Sequence, residues 1–277
     1  MLGKLLKHEF RATGRVMLPV LGVTLVLAVL ANFSVRWLEM VDSNILQLLL
    51  GLVVAGFGLC IFAAGVMSLV VMIDRFYKNL LRDEGYLMFT LPVSVHGLVW
   101  SKLIVSFVWF AVTGLVIILA LGITAVNFSN LDFAETFRQL PSLGEALQAF
   151  YRETGLSGGH VAAFIAESAI LVVVSALCVC LHFYAAMALG HCFSNRKLLM
   201  SILFFIGISV LLSIVSPVLG VSFGVGISHE AAVSASALDA FRVMQKVIFA
   251  VMAYELVQGA LLYAATTLSL KKGLNLA

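Results

Sequence analysis

The sequence predicts an all-α integral membrane protein with six transmembrane helices and two short amphipathic segments beside them. Three observations carry this. Hydrophobic residues make up 62% of the 277-residue chain and charged residues 11%, whereas soluble domains run near ~45–50% apolar and ~25% charged. Mean hydropathy is +1.11. The charges that remain, apart from Glu167 and Glu255, fall between long apolar runs rather than within them.

Six runs free or nearly free of charge span Val16 to Phe33, Ile45 to Ile73, Leu103 to Val126, Val161 to Leu189, Leu198 to Ile227 and Val247 to Leu270. Each is long enough to cross ~30 Å of hydrocarbon as a helix, the form that satisfies backbone polar groups inside a bilayer. Basic residues precede the first run as in a signal peptide, but the run exceeds the usual ~7–15 residues of a signal core, so it is read as a span. Runs two, four and five approach thirty residues and are expected to tilt, protrude or break. Pro217 with Gly220, Gly224 and Gly226 marks the end of the fifth as the expected break or re-entrant point. The connections leave no room for a soluble catalytic domain.

Orientation follows from the basic residues in alternate connections. Lys4, Lys7, Arg11 and Arg15, then Arg75, Lys78, Arg82 and Lys102, then Arg196, Lys197, Lys271 and Lys272 put twelve on one side. Arg36, Arg138, Arg152, Arg242 and Lys246 put five on the other. The positive-inside rule therefore places both termini in the cytoplasm and the chain in the cytoplasmic (inner) membrane. The net charge of +3 is explained by this placement, and no nucleic-acid site is read from it.

Residues 1–15 form an amphipathic helix: Leu2, Leu5, Leu6 and Phe10 share one face and Lys4, Lys7, Arg11 and Arg15 the other. Such a helix lies among lipid headgroups. Glu9 falls on the apolar face, where it either pairs with a cytoplasmic Arg or Lys or sits at the interface. Residues 127–160 form the one sizeable external loop, in which Ser142 and Glu145 make a capping-box pattern ahead of Leu143, Leu147 and Phe150.

The segment 74–92 reads as a second amphipathic helix. Phe76, Tyr77, Leu80 and Leu81 make an apolar stripe and Arg75, Lys78 and Arg82 a basic one, with Gly85 and Pro92 ending it. Positive-inside charges account for the basic residues of a solvated loop; they do not account for the aromatic stripe.

Asp83-Glu84-Gly85-Tyr86-Leu87, Thr90-Leu91-Pro92-Val93-Ser94 and Lys102, preceded by Arg75 and Lys78, resemble the first cytoplasmic loop of ABC-2 type permeases, the membrane subunits of ABC exporters. The opening residues to Arg11 and the stretch from Leu189 to Lys197 are similar to the bacterial branch of that family, so the resemblance covers the chain as one transmembrane domain, 1–277. It implies that residues 1–15 are an elbow helix and 74–92 a coupling helix seated in a separate ABC ATPase. Arg75, Lys78, Arg82, Asp83 and Glu84 would be docking charges, Phe76, Tyr77 and Leu80 apolar contacts, and Gly85 the turn beside them. It also implies a second permease, as homo- or heterodimer, and export of an amphipathic peptide, drug or lipid. The chain has no phosphate-cradling motif, so ATP and Mg²⁺ are expected in the partner ATPase and no cofactor in this chain.

Inside the spans, Glu167, His182 and Glu255 are candidates for a polar cavity lining or a proton relay. Interhelical hydrogen bonds to Ser, Thr or Tyr are the alternative. Cys178, Cys180 and His182 point to different sides of a helix, so no metal site is expected. The four cysteines read as packing residues. Gly56, Cys60, Ala64 and Ser68, and the pair Gly220 and Gly224, offer grooves for close helix approach. An ion-coupled secondary transporter and a non-transporting membrane assembly or anchoring subunit are the competing functional readings.

Overall fold

The computed structural model describes residues 2–38, 40–81, 94–125, 145, 148, 149, 151–193, 196–233 and 236–272; for residues 2, 218–233 and 272 it describes the backbone alone. Six long helices follow in order: α1 (Leu2–Leu38), α2 (Asn44–Phe76), α3 (Val95–Ala125), α4 (Gly158–Gly190), α5 (Lys197–Val233) and α6 (Ala237–Lys272). A π-helical turn, Tyr77–Leu81, extends α2. Each helix contains a stretch long and apolar enough to span a membrane, so the chain is a multi-pass membrane protein. Contacts divide it into two compact units, Met1–Leu131 and Asp132–Ala277.

In the first unit, α1 packs on both α2 and α3. Met17, Leu21, Val105 and Trp109 form one buried layer, with Phe10 and Val71 against it. A second layer toward the other end joins Ala28, Ala31, Phe57 and Ala120. Small residues there let the helices close up without a hydrophobic driving force between them. Thr24 meets Cys60 at 3.4 Å, and Ala64 and Ser68 are buried, so α1 occupies part of the small-residue groove of α2. Nothing lies within 4 Å of a Cβ built on Gly56. The last carbonyls of α3 have no intrahelical donors. The Asn32 amide supplies one, donating to Ile123 at 2.6 Å, while Arg36 Nε donates to Asn32 Oδ1 at 3.1 Å.

The second unit is built on α4, which packs against both α5 and α6. Two glycines set its close approaches. A Cβ on Gly259 would stand 3.0 Å from Cys178 Sγ, and one on Gly190 would stand 2.2 Å from Ser201 Oγ and 2.4 Å from the Ser201 nitrogen. The start of α4 is set at Ser157, whose backbone N–H donates to His160 Nδ1 at 3.0 Å.

Three expectations change. Residues 2–15 are not a separate elbow but the first turns of α1, which runs unbroken through Pro19. Proline removes only the hydrogen bond to the Arg15 carbonyl, and packing of Thr13 and Met17 before it and Leu21 after it against α3 holds the helix on both sides of the proline. Likewise α5 continues through Pro217 and the glycines beyond it instead of breaking. Third, Asp74–Leu81 continues α2 and its π-helical turn and is not a separate helix. Of the external loop, Ser142, Leu143, Leu147 and Phe150 lie outside the described residues, whereas 151–154 are helical.

Candidate functional site

Two polar constellations stand out, one in each unit. The first lies where α1 begins, α2 ends and α3 begins. Glu9 is 8% exposed. Its Oε1 accepts a salt-bridging hydrogen bond from Lys102 Nζ and a second bond from Asn79 Nδ2 at 3.0 Å. Thr13, one turn on, donates to the Glu9 carbonyl at 2.8 Å and accepts from the Trp109 indole at 2.7 Å. A small cavity beside the cluster is lined by Glu9, Ser68, Arg75, Lys102 and Ser106. The Glu9 Oε2 atom is buried and has no hydrogen-bond partner among the described residues. A carboxylate so enclosed depends on its cation: removing one member of a buried pair typically costs ~3–5 kcal/mol.

This cluster answers one open question and corrects one reading. Glu9 is paired rather than left at an interface. Lys102, counted with the loop charges, lies two turns inside α3 and is 4% exposed. The remaining basic residues of the N-terminal segment, Lys4, Lys7, Arg11 and Arg15, are exposed as the amphipathic pattern requires.

Of the proposed docking residues, Phe76 and Leu80 are 0% exposed. They pack the end of α2 into its own unit, so in this conformation they present no surface to another protein. Arg75 and Tyr77 are half-buried, and Lys78 is exposed and paired with Asp74 at 2.9 Å. Arg82, Asp83, Glu84 and Gly85 lie outside the described residues.

The second constellation runs along α4 of the other unit. Glu167 accepts two bonds from the Gln245 amide of α6, at 3.0 and 3.2 Å. Ser175, eight residues on, donates to Glu255 Oε2 at 2.6 Å. Cys178 Sγ donates to the Glu255 carbonyl at 3.1 Å. His182 Nε2 meets Ser209 Oγ of α5 at 3.2 Å, with its ring 4.8 Å from that of Phe205. At ~1.5 Å rise per residue, the three levels are separated by roughly 10–12 Å, too far for the acids and the histidine to form one site. Cys178 faces α6 and His182 faces α5, so the two do not converge. Just past α4, His191 is buried and its Nδ1 donates to the Met187 carbonyl at 2.9 Å. Burial holds its pKa below the usual histidine value, opposed by the Met187 bond and reinforced by the Lys197 charge.

Glu167 and Glu255 therefore each have an interhelical partner, and that partner is neutral. This is the pattern of polar residues fastening helices together. Bare carboxylates at such depths cost roughly 2.5–3.5 kcal/mol on insertion scales, and one hydrogen bond recovers only part of that.

The sequence reading missed the partners: Asn79, Ser175, Ser209 and Gln245. Only Lys102 carried a signal, as a cation placed beside an otherwise apolar helix with an orphan acid elsewhere on the same side. Comparison with known proteins returns no match to this chain from family models, curated proteins or solved structures.

Proposed function

We propose that this chain is the transmembrane permease subunit of an ATP-driven exporter, working as a dimer with a separate ATPase that engages the loop between α2 and α3 on the cytoplasmic side. The observation that carries this reading is the way α2 leaves its apolar run. It continues as helix to Leu81, and its end is fastened by Phe76, Leu80 and Leu81 in the core and by Asn79 bonded to Glu9 of α1. A push on the following residues, 82–93, would reach α1 and α3 through that joint instead of being lost in a flexible connection. The resemblance of the loop sequence to ABC-2 type permeases supports the same reading. Burial removes Phe76 and Leu80 from the docking set and leaves Arg75, Tyr77 and Lys78 in it; Arg82, Asp83, Glu84 and Gly85 belong to it by the resemblance.

Charge reversal at Arg82 together with Glu84 tests it. ATPase association and transport-linked hydrolysis should both fall about tenfold or more, as expected for the loss of contacts between desolvated charges. Unchanged association and hydrolysis would show that the loop is not the docking element. An ion-coupled transporter is favoured by one observation, the acid Glu255 within the span. Flux driven by a proton gradient in vesicles lacking ATP would select it.

A further inference from the structure

We propose that the small cavity where α1 begins, α2 ends and α3 begins is a hydration site, in which one water molecule bridges the second carboxylate oxygen of Glu9 to Ser68 and Arg75 of α2. The proposal concerns how this joint is held and stands apart from the exporter reading.

The demand comes from Glu9, which is 8% exposed. Both donors that reach its carboxylate, Lys102 Nζ and Asn79 Nδ2, converge on Oε1. The other oxygen, Oε2, is buried and accepts no hydrogen bond among the described residues. An acceptor in that position has given up its hydration with nothing in exchange, which costs as much as a typical hydrogen bond contributes, or more. In folded proteins such groups are commonly satisfied by an ordered water.

The space matches the demand. About 10 Å³ of the cavity is open to the centre of a water molecule, close to the least that admits one water and too little for a polyatomic ion. Its wall is polar where it has to be: besides Glu9 it carries Ser68, Arg75, Lys102 and Ser106. A monatomic ion fits the charges poorly. A cation would face Lys102 and Arg75, and an anion would face the Glu9 carboxylate. A neutral molecule that both donates and accepts meets neither objection.

The hydrogen bonds can be assigned. Ser68 Oγ donates its own proton to the Gly65 carbonyl at 2.7 Å, so what it offers the cavity is lone pairs. Arg75 offers only N–H donors. The water therefore donates one proton to Glu9 Oε2 and the other to Ser68 Oγ, and accepts from the Arg75 guanidinium, which gives it three partners, the usual number for a buried water. The bridge runs from α1 to two positions on α2. It adds to the direct Asn79 bond and completes the coordination of a carboxylate that already holds α3 through Lys102.

The direct test is a crystal structure of the full chain grown from a lipid mesophase, at a resolution that shows ordered waters elsewhere in the molecule. A single peak should stand about 2.7–3.2 Å from Glu9 Oε2 and from Ser68 Oγ or an Arg75 nitrogen. A cavity without density, an Arg75 guanidinium bonded directly to Oε2, or anomalous signal in the cavity from crystals grown with rubidium or bromide would each overturn the proposal. Thermal unfolding gives a second reading. Ser68→Ala keeps the space, whereas Ser68→Val adds bulk to the wall. In a dry cavity that bulk fills a void and the valine variant is the more stable. In a hydrated one it displaces the water and strands Oε2, so the valine variant should unfold roughly 2–4 °C below the alanine variant. The same two substitutions at the exposed Ser213 subtract the difference in helix propensity. With Glu9→Met and Lys102→Met together in the background no carboxylate is left to hydrate, and the valine penalty should vanish. A valine variant as stable as the alanine one, or a penalty that persists without the carboxylate, would also overturn the proposal.

Discussion

The two units treat their acids in opposite ways. Glu9 is enclosed, faces a buried lysine and shares one oxygen between two donors from two other elements. Glu255 and Glu167 are half-buried and bonded only to neutral partners. The difference teaches where charge is structural. In the first unit a paired charge ties three helix ends outside the apolar runs, where desolvation is bearable and a cation is at hand. In the second, the acids within the spans are held by neutral side chains, Ser175 and Gln245, which join neighbouring helices by hydrogen bonds instead of by charge.

The largest effect should come from breaking the compensated pair. Lys102→Met leaves the Glu9 charge buried alone and should destabilise the protein by ~3–5 kcal/mol, with Glu9→Gln in the same background recovering most of the loss. By contrast, Glu255→Gln or Glu167→Gln alone should cost less than about 1 kcal/mol, since an amide still bonds the same neighbour and such bonds average ~0.6 kcal/mol in membranes. Thermal unfolding of the purified variants in one detergent checks both. Equal costs at Lys102 and Glu255 would erase the distinction between the units.

A smaller effect sharpens the comparison from the other side, because the second unit relies on close approach where the first relies on charge. Gly190→Ala places a methyl 2.4 Å from the Ser201 nitrogen. The ends of α4 and α5 must then move apart, at a cost of about 1–3 kcal/mol by the same unfolding measurement. Gly56→Ala, whose Cβ would meet nothing within 4 Å, should change stability little.

How much of this was legible follows from the physics of each feature. The six spans were readable because a bilayer demands long apolar runs, and all six runs fall within helices, apart from Val126, which lies outside the described residues. Helix ends were less so. Basic residues marked where α1 enters the membrane, yet they do not stop a helix whose Thr13 and Trp109 are already joined. The π-helical extension of α2 carried an amphipathic stripe that suggested a docking face, whereas Phe76 and Leu80 turn that stripe inward. Hidden altogether were partners on other helices, since no periodicity within α4 can announce Gln245 or Glu255 opposite it. Glu9 announced that it needed a cation, and Lys102 had to be found by folding.

The proposed export of cargo at the expense of ATP held by another protein is tested most directly by isolating the chain with what it binds. Purified from its native membrane in mild detergent and returned to lipid vesicles, the chain should retain an ATPase whose hydrolysis rate depends on the chain's presence. Sustained flux of cargo by the same vesicles with no ATPase attached would contradict it.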